Sequence, residues 1–229
     1  MTLNDLLDTY RRHCEEQWSA DERAAWGKRL ARVRASGVCA GALNVGDLAP
    51  DLSLPALSLE PESGLRAGAG PHAGAAASAA PTSLYRLLAD GPVVLKFVPG
   101  RGCPYTTLEL RAYQRIFEHL RSLGGQLLVI SARDAQDVAL HRARDALSFP
   151  IVADPERIAA GRFGLLVPPA ETADASDPPA VGEPISVLPA TFVVGTDRRI
   201  AFAFIDPDPR QRAEPAVVAR VLASVATPA

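Results

Sequence analysis

Apolar and polar positions change their period several times along the chain. Leu3, Leu6, Leu7, Tyr10, Cys14 and Trp18 recur at helical spacing and make one apolar stripe. Thr2 with Asp5 has the form of a capping pair. Ser19 with Glu22 repeats it before a second predicted helix that carries Trp26, Leu30 and Val33 and stops at Gly37. A helical hairpin this short cannot bury both of its faces alone. It is expected to pack on the rest of the chain or on a second subunit, which leaves a homodimer open.

Residues 1–42 are thus read as a helical extension and residues 43–226 as the main domain. Asn44 to Pro55 ends in alternating apolar and polar positions, as a short strand would. Val93–Val98 is an apolar run between Gly91-Pro92 and Pro99-Gly100, the mark of a buried strand. From Pro104 the period becomes helical, with Leu108, Ala112, Ile116 and Leu120 on one stripe and Gly124-Gly125 at its end. Gln126–Ser131 predicts a strand, Asp134–Leu147 a helix, Phe149–Val152 a short strand, and Pro155–Arg162 a helix. Thr191–Val194 and Ile200–Ile205 read as a hairpin turning at Asp197-Arg198, and Glu214–Val225 as a last helix. Strands alternating with helices, then a hairpin and a helix, give an α/β fold: a mixed central sheet with helices on both faces. Two stretches, about 60–82 and 167–186, are rich in Gly, Ala, Pro and Ser and read as flexible loops. The first lacks the order of glycines, lysine and hydroxyl residue that cradles phosphate.

Composition narrows the function classes. A net charge of −2 gives no electrostatic reason to expect nucleic acid or an acidic membrane as partner. No apolar stretch approaches the length of a membrane span, and the first residues lack a basic and then apolar leader, so a cytoplasmic location is the expectation. Basic residues are nearly all arginine, the lysines being Lys28 and Lys96, and alanine is abundant, which suggests a GC-rich bacterial source. Three separated cysteines, Cys14, Cys39 and Cys103, do not make a disulfide framework. The scattered histidines offer no zinc spacing, so neither metal nor other cofactor is expected.

The chemistry concentrates in Phe97-Val98-Pro99-Gly100-Arg101-Gly102-Cys103-Pro104-Tyr105-Thr106. Cys103 follows a buried strand and opens a helix. Pro104 suits the first helical position because its missing N–H would be unpaired there anyway. Free backbone N–H groups, the positive helix end and the nearby Arg101 cation all favour thiolate over thiol. Cys103 is the candidate nucleophile, and Tyr105 is expected to pack beside it. Cys14, on the apolar side of the first helix, is read as core packing. Cys39 would reach Cys103 only if its connector folds over the site. Asp206 and Asp208 are read as a turn, and His119 and His141 as solvated helix positions.

This segment resembles the thioredoxin superfamily, and the stretch from about Leu43 to Leu222 resembles peroxiredoxin-like proteins of the alkyl hydroperoxide reductase and thiol-specific antioxidant group. Val45-Gly46-Asp47-Leu48-Ala49-Pro50-Asp51 is similar to the family's opening strand. Phe149-Pro150-Ile151-Val152-Ala153-Asp154-Pro155 is similar to its mid-domain strand, and Leu188-Pro189-Ala190-Thr191-Phe192-Val193-Val194 to its late strand. Ala203 to Asp208, with Arg212-Ala213-Glu214-Pro215, resembles the ending of one bacterial subgroup. The resemblance implies a thioredoxin-like fold, antioxidant thiol chemistry, and a peroxide, small thiol or disulfide as substrate.

Two positions depart from the family pattern. Relatives of the subgroup carry Cys-Pro-Tyr-Cys, whereas this chain has Thr106 at the second cysteine, the place that matches the peroxide-attacking cysteine of true peroxiredoxins. Cys103 stands where those proteins hold a threonine. A hydroxyl cannot replace a thiolate there. The family's peroxide-polarising arginine matches Pro189, which resembles instead the cis-proline that faces the cysteines of thioredoxins. Cys103 and Thr106 are therefore the candidate catalytic positions, with Arg101, Pro104, Tyr105 and Pro189 around the substrate. Efficient peroxiredoxin catalysis is not expected from such a site. The reading is a thiol-dependent oxidoreductase with Cys103 as single nucleophile, resolved by an external thiol such as glutathione. Cys-Pro-Tyr-Thr also resembles single-cysteine sites of some glutaredoxins. The alternative is a degenerate thioredoxin-fold protein acting as a binding or scaffold module.

Overall fold

The computed structural model describes residues 1–55, 82–99, 103–168 and 185–226. Two helices open the chain, α1 (Leu3–Gln17) and α2 (Ala20–Ala35), each with a reciprocal capping box. The Thr2 N–H donates to the Asp5 carboxylate at 2.8 Å and the Asp5 N–H to the Thr2 hydroxyl at 3.1 Å. Ser19 and Glu22 make the same exchange at 2.7 and 3.2 Å, so both helices start where unpaired N–H groups find acceptors. Gly37, at φ +72°, ends α2 in the left-handed conformation and leads into a single turn, α3 (Val38–Gly41).

A short antiparallel pair follows, β1 (Ser53–Leu54) with β2 (Thr82–Ser83). β1 is the short strand expected at the end of Asn44–Pro55, while Val45–Asp51, likened to the family's opening strand, forms no regular strand. Gly46 sits at φ +93°, which interrupts the extended run, and the Gly46 and Ala49 N–H groups donate instead to Ile200 and Arg198 carbonyls. A helix that the periodicity did not announce, α4 (Leu84–Asp90), starts at the Ser83 hydroxyl.

The main sheet has five strands in the order β5-β4-β3-β6-β7, namely Ile151–Ala153, Gln126–Ser131, Val93–Val98, Ala190–Val194 and Ile200–Ile205. The first three are parallel, since each is reached through a helix: α5 (Pro104–Ser122) joins β3 to β4, and α6 (Ala135–Arg144) joins β4 to β5. After α7 (Ile158–Arg162), strands β6 and β7 join antiparallel, as a hairpin must, and α8 (Pro215–Ala226) closes the fold. This is a thioredoxin-like mixed sheet with helices on both faces.

Both faces of β3 are buried, which is why its sequence is continuously apolar apart from Lys96. Val93, Leu95 and Phe97 pack with Leu84 and Leu88 of α4, Phe163 beyond α7, and Phe192 of β6. Val94 and Val98 pack on the other side with Leu110, Tyr113, Phe117 and Leu120 of α5 and Val218 and Leu222 of α8. Each such side chain removed from water contributes about 1.5–3 kcal/mol. Gly124, at φ +78°, ends α5, and Gly125 leaves room for Leu222 of α8, where a Cβ would collide.

The N-terminal helices pack on their own chain. α1 lies along α5, and the Leu3 and Asn4 N–H groups donate to the Glu214 carboxylate at 3.2 and 3.1 Å. Val33 of α2 joins a third core with Val38, Val167, Ile185 and Leu188. Most of the two expected loops, 60–81 and 169–184, lies outside the described residues. His119 is exposed as expected, but His141 is not solvated. It is 5% exposed, 3.0 Å from Asp145, because α6 turns that face onto the body of the protein. Among the described residues no helix is long and apolar enough to cross a membrane.

Candidate active site

Strand β3 delivers the chain to the site and helix α5 carries it away. Cys103 is the N-cap of α5, at φ −78° and ψ 107°, and Pro104 takes the first helical position, where no N–H is needed. The Cys103 side chain makes no capping bond, so its sulfur is half-buried and free for other contacts. Thr106, three residues on, leads the inward stripe of α5 that continues through Glu109, Leu110 and Tyr113. It is fully buried, and its hydroxyl has no hydrogen-bond partner among the described residues. Arg101 lies outside the described residues.

Pro189 arrives at the same end of the sheet. Ala190 pairs with Phe97, so the buried Pro189 precedes β6 at the edge where β3 leaves for Cys103. The expected cis bond is absent: every peptide bond among the described residues is trans. The chain runs extended from Val187, bridged to Leu166, directly into β6. Pro189 is a trans proline opening a strand, with no reversal for a cis bond to make.

The residue that touches the sulfur was not among the sequence candidates. Arg212, 3% exposed, points Nη2 at Cys103 Sγ from 4.0 Å. Its Nε donates to Glu109 Oε2 at 2.8 Å, and Nη1 donates to the Pro209 and Gln211 carbonyls. The other Glu109 oxygen accepts from Lys96 Nζ at 2.6 Å, and Nζ also donates to the Thr191 hydroxyl at 2.7 Å. Lys96 and Thr191 are direct partners across β3 and β6, which fixes that bond. Lys96 Nζ lies 4.0 Å from the centre of the Tyr113 ring. Burial pulls the Lys96 pKa down and the Glu109 charge partly restores it. Burial, with the same carboxylate nearby, pushes the Tyr113 hydroxyl well up. One carboxylate thus stands between two buried cations, and the cation nearer the surface faces the sulfur.

The sequence matches the AhpC/TSA family over residues 45–203, more than half of the 229-residue chain, a stretch that holds Cys103 and Thr106 and ends before Arg212. The chain belongs to that family. It is a peroxiredoxin-like protein of the thioredoxin superfamily. A probable 1-Cys peroxiredoxin of Bromus secalinus is 26% identical over 160 residues, which cover 64% of this chain and 75% of that protein. A 1-Cys peroxiredoxin of Triticum aestivum is 26% identical over the same length, 64% and 69% of the two chains. Among solved structures, the peroxidoxin BcpB of Mycobacterium tuberculosis superposes with a TM-score of 0.56 at 20% identity, over 81% of this chain and 99% of that one. The AhpC of Mycobacterium bovis gives 0.57 at 21%, over 79% and 91%. At these identities the two structures speak for the fold.

Around the candidate site of this AhpC/TSA-family chain the N-terminal helix adds a second wall. The Tyr10 ring of α1 meets the Tyr105 ring edge-on, 5.2 Å between centroids and at 79°. Cys14, expected in the core, is half-buried, belongs to none of the three core clusters, and lies one turn beyond Tyr10 on the same face. Glu15 accepts from Arg210 at 2.6 Å, and Arg210 also bonds Asp208 and covers the Trp26 ring. The Asp208 N–H donates to Asp206 at 2.7 Å, so these two acids form the expected turn, whose work is to hold Arg210. Cys39 sits against the third core, and its thiol is pushed up by burial and by Asp206.

Arg212 was missed because 109 residues separate it from Cys103 and its segment reads as a polar tail after a strand. A signal was present. Arg212-Ala213-Glu214-Pro215 resembles the ending of one bacterial subgroup of the family, and Glu109 and Lys96 are charged residues on otherwise apolar stripes. Buried charges need partners, so these three could have been paired on that ground alone.

Proposed function

We propose that this chain is a thiol-dependent peroxidase in which Cys103 is the attacking sulfur. The observation that carries the reading is the Arg212 guanidinium 4.0 Å from Cys103 Sγ, held in place by Glu109. Pro189 stands where an arginine is expected before the late strand, and Arg212, from the segment after β7, supplies a cation to the sulfur. A guanidinium there stabilises the negative charge that develops on a peroxide oxygen. The relatives named 1-Cys peroxiredoxins agree with a site built on one attacking cysteine.

The Cys103 thiolate attacks the terminal oxygen of a hydroperoxide. The S–O bond forms, the O–O bond breaks, and the alkoxide leaves and takes a proton. Cys103 becomes a sulfenic acid and the peroxide is reduced to an alcohol or water. An external thiol of the glutathione class returns the sulfur to the reduced state through a disulfide. Thr106 cannot take this role. Its oxygen is buried beneath the helix start and does not form a sulfenic acid.

Peroxide consumption by the full chain with excess external thiol tests the reading. Cys103→Ser abolishes the protein-dependent rate. Arg212→Met lowers it about tenfold, close to 1.4 kcal/mol in the barrier, and Arg212→Lys, which keeps the charge against Glu109, loses less. A wild-type rate no faster than that of free cysteine, unaffected by either substitution, would overturn the proposal.

A further inference from the structure

The N-terminal helix brings a second thiol to the same pocket. Two contacts bind the C-terminal half of α1 to the site. The Tyr10 ring rests edge-on against Tyr105, two residues after Cys103, and Glu15 is ion-paired with Arg210, two residues before the arginine that faces Cys103. Cys14 lies between these two contacts, half-buried and one helical turn after Tyr10 on the same face of α1. Tyr10 is close enough to both sulfurs that, after burial, charge on Cys14 and on Cys103 raises its pKa. Burial raises Tyr105 as well, and Cys14 and Tyr10 add to that. Both phenols therefore stay protonated at neutral pH.

We infer that Cys14 is the resolving thiol of this site, closing a disulfide with Cys103 after Cys103 has been oxidised. The inference rests on the proposed peroxidase reading. In the first step hydroperoxide oxidises Cys103 to its sulfenic acid, as above. In the second, Cys14 sulfur attacks Cys103 sulfur. The S–S bond forms, the S–O bond breaks, and the hydroxyl leaves as water with the proton released from Cys14. Both electrons given to the peroxide then come from the two cysteines, and an external thiol is needed only to reduce the finished disulfide. Bond formation requires the two Cα atoms to stand about 4.4–6.8 Å apart. α1 packs on α5, the helix that Cys103 opens. Cys39 is the control thiol. It lies in the third core, where burial and Asp206 keep it protonated.

The test treats the reduced full chain with one equivalent of hydrogen peroxide, blocks remaining thiols by alkylation, and maps peptides by mass without reduction. The expected product is a peptide pair joined through Cys14 and Cys103, with Cys39 alkylated. Cys14→Ser removes that pair, and a sulfenic-acid trap such as dimedone then labels Cys103 at least about tenfold more than in the wild type. Three results would overturn the inference while leaving the peroxidase reading intact: equal trapping in both proteins, a disulfide from Cys103 to Cys39, or one between two copies of Cys103. If Cys103 is not oxidised in either protein, the peroxidase reading fails first and the inference with it.

Discussion

At the residue scale, Thr106 shows how a substitution in a family motif can be accommodated without its chemistry being replaced. The position is the head of the inward stripe of α5, so whatever stands there is buried against the sheet. A thiol is content in such a place, but a hydroxyl is left with an unpaired donor and acceptor. A buried polar group of this kind costs about 1–3 kcal/mol. Thr106→Val keeps the branched shape and removes the unpaired hydroxyl. It is expected to raise stability by about 1 kcal/mol, read as a higher urea midpoint at unchanged slope. A lower midpoint would mean that the hydroxyl has a partner after all, for instance an ordered water. The prominence of Cys103 was legible because its local context, strand before and proline after, is contiguous in sequence. The cation beside it was not legible, because the Arg212 contact depends on how the segment after β7 folds back.

At the scale of elements, sequence reading succeeded where an element is defined by its own residues. Strands β3, β4 and β7 have the bounds that their apolar runs predict. It failed where a neighbour decides. The stretch likened to the family's opening strand, Val45–Asp51, is held instead by the Gly46 and Ala49 N–H groups on the Ile200 and Arg198 carbonyls and by a single bridge from Leu48 to Arg199, and the strand proper is Ser53–Leu54. On helix α6 the sequence reads His141 as a solvated position, and only packing makes that face buried. Its imidazole is pulled down in pKa by burial first and by the Arg133 charge next, against the pull of Asp145. The folded protein therefore prefers neutral His141. The corresponding stability is complete above the unfolded value near 6.5 and is lost as the pH falls through the lower folded value. Asp145 is also acid-sensitive. Burial raises its pKa, but hydrogen bonds from Arg144 and Arg111 prevail and lower it, so its contribution is lost only further down, below the usual carboxylate range. Melting temperatures taken from about pH 7.5 to about pH 5 should fall for the wild type and fall less for His141→Gln. Parallel curves for the two proteins would remove His141 from the account.

For the whole molecule, the two ends of the chain are joined at the active-site wall. Helical periodicity told which residues of α1 share a face. It could not tell that this face meets two regions, Leu3 and Leu7 packing inward while Tyr10 turns to Tyr105 beside Cys103. The join at the start of α1 is a carboxylate on a helix N-terminus: Glu214, at the foot of α8, accepts from the Leu3 and Asn4 N–H groups. These are donors that no helical carbonyl can satisfy, and the positive helix end favours the negative charge, a contribution of about 0.3–1 kcal/mol. Glu214→Gln keeps the shape and one acceptor oxygen but removes the charge. Glu214→Ala removes both, so the two variants separate electrostatics from hydrogen bonding. Amide exchange of α1 should quicken in the order wild type, Gln, Ala. Because α1 is one wall of the pocket, alkylation of Cys103 at fixed pH should quicken in the same order, while exchange in the central strands β3 and β4 stays as it was. Faster exchange in α1 without faster alkylation would mean that the helix opens at its first turn alone and that Tyr10 keeps its place on Tyr105. If exchange does not change at all, the Thr2–Asp5 box is sufficient to hold the helix start, and Glu214 is no more than a neighbour.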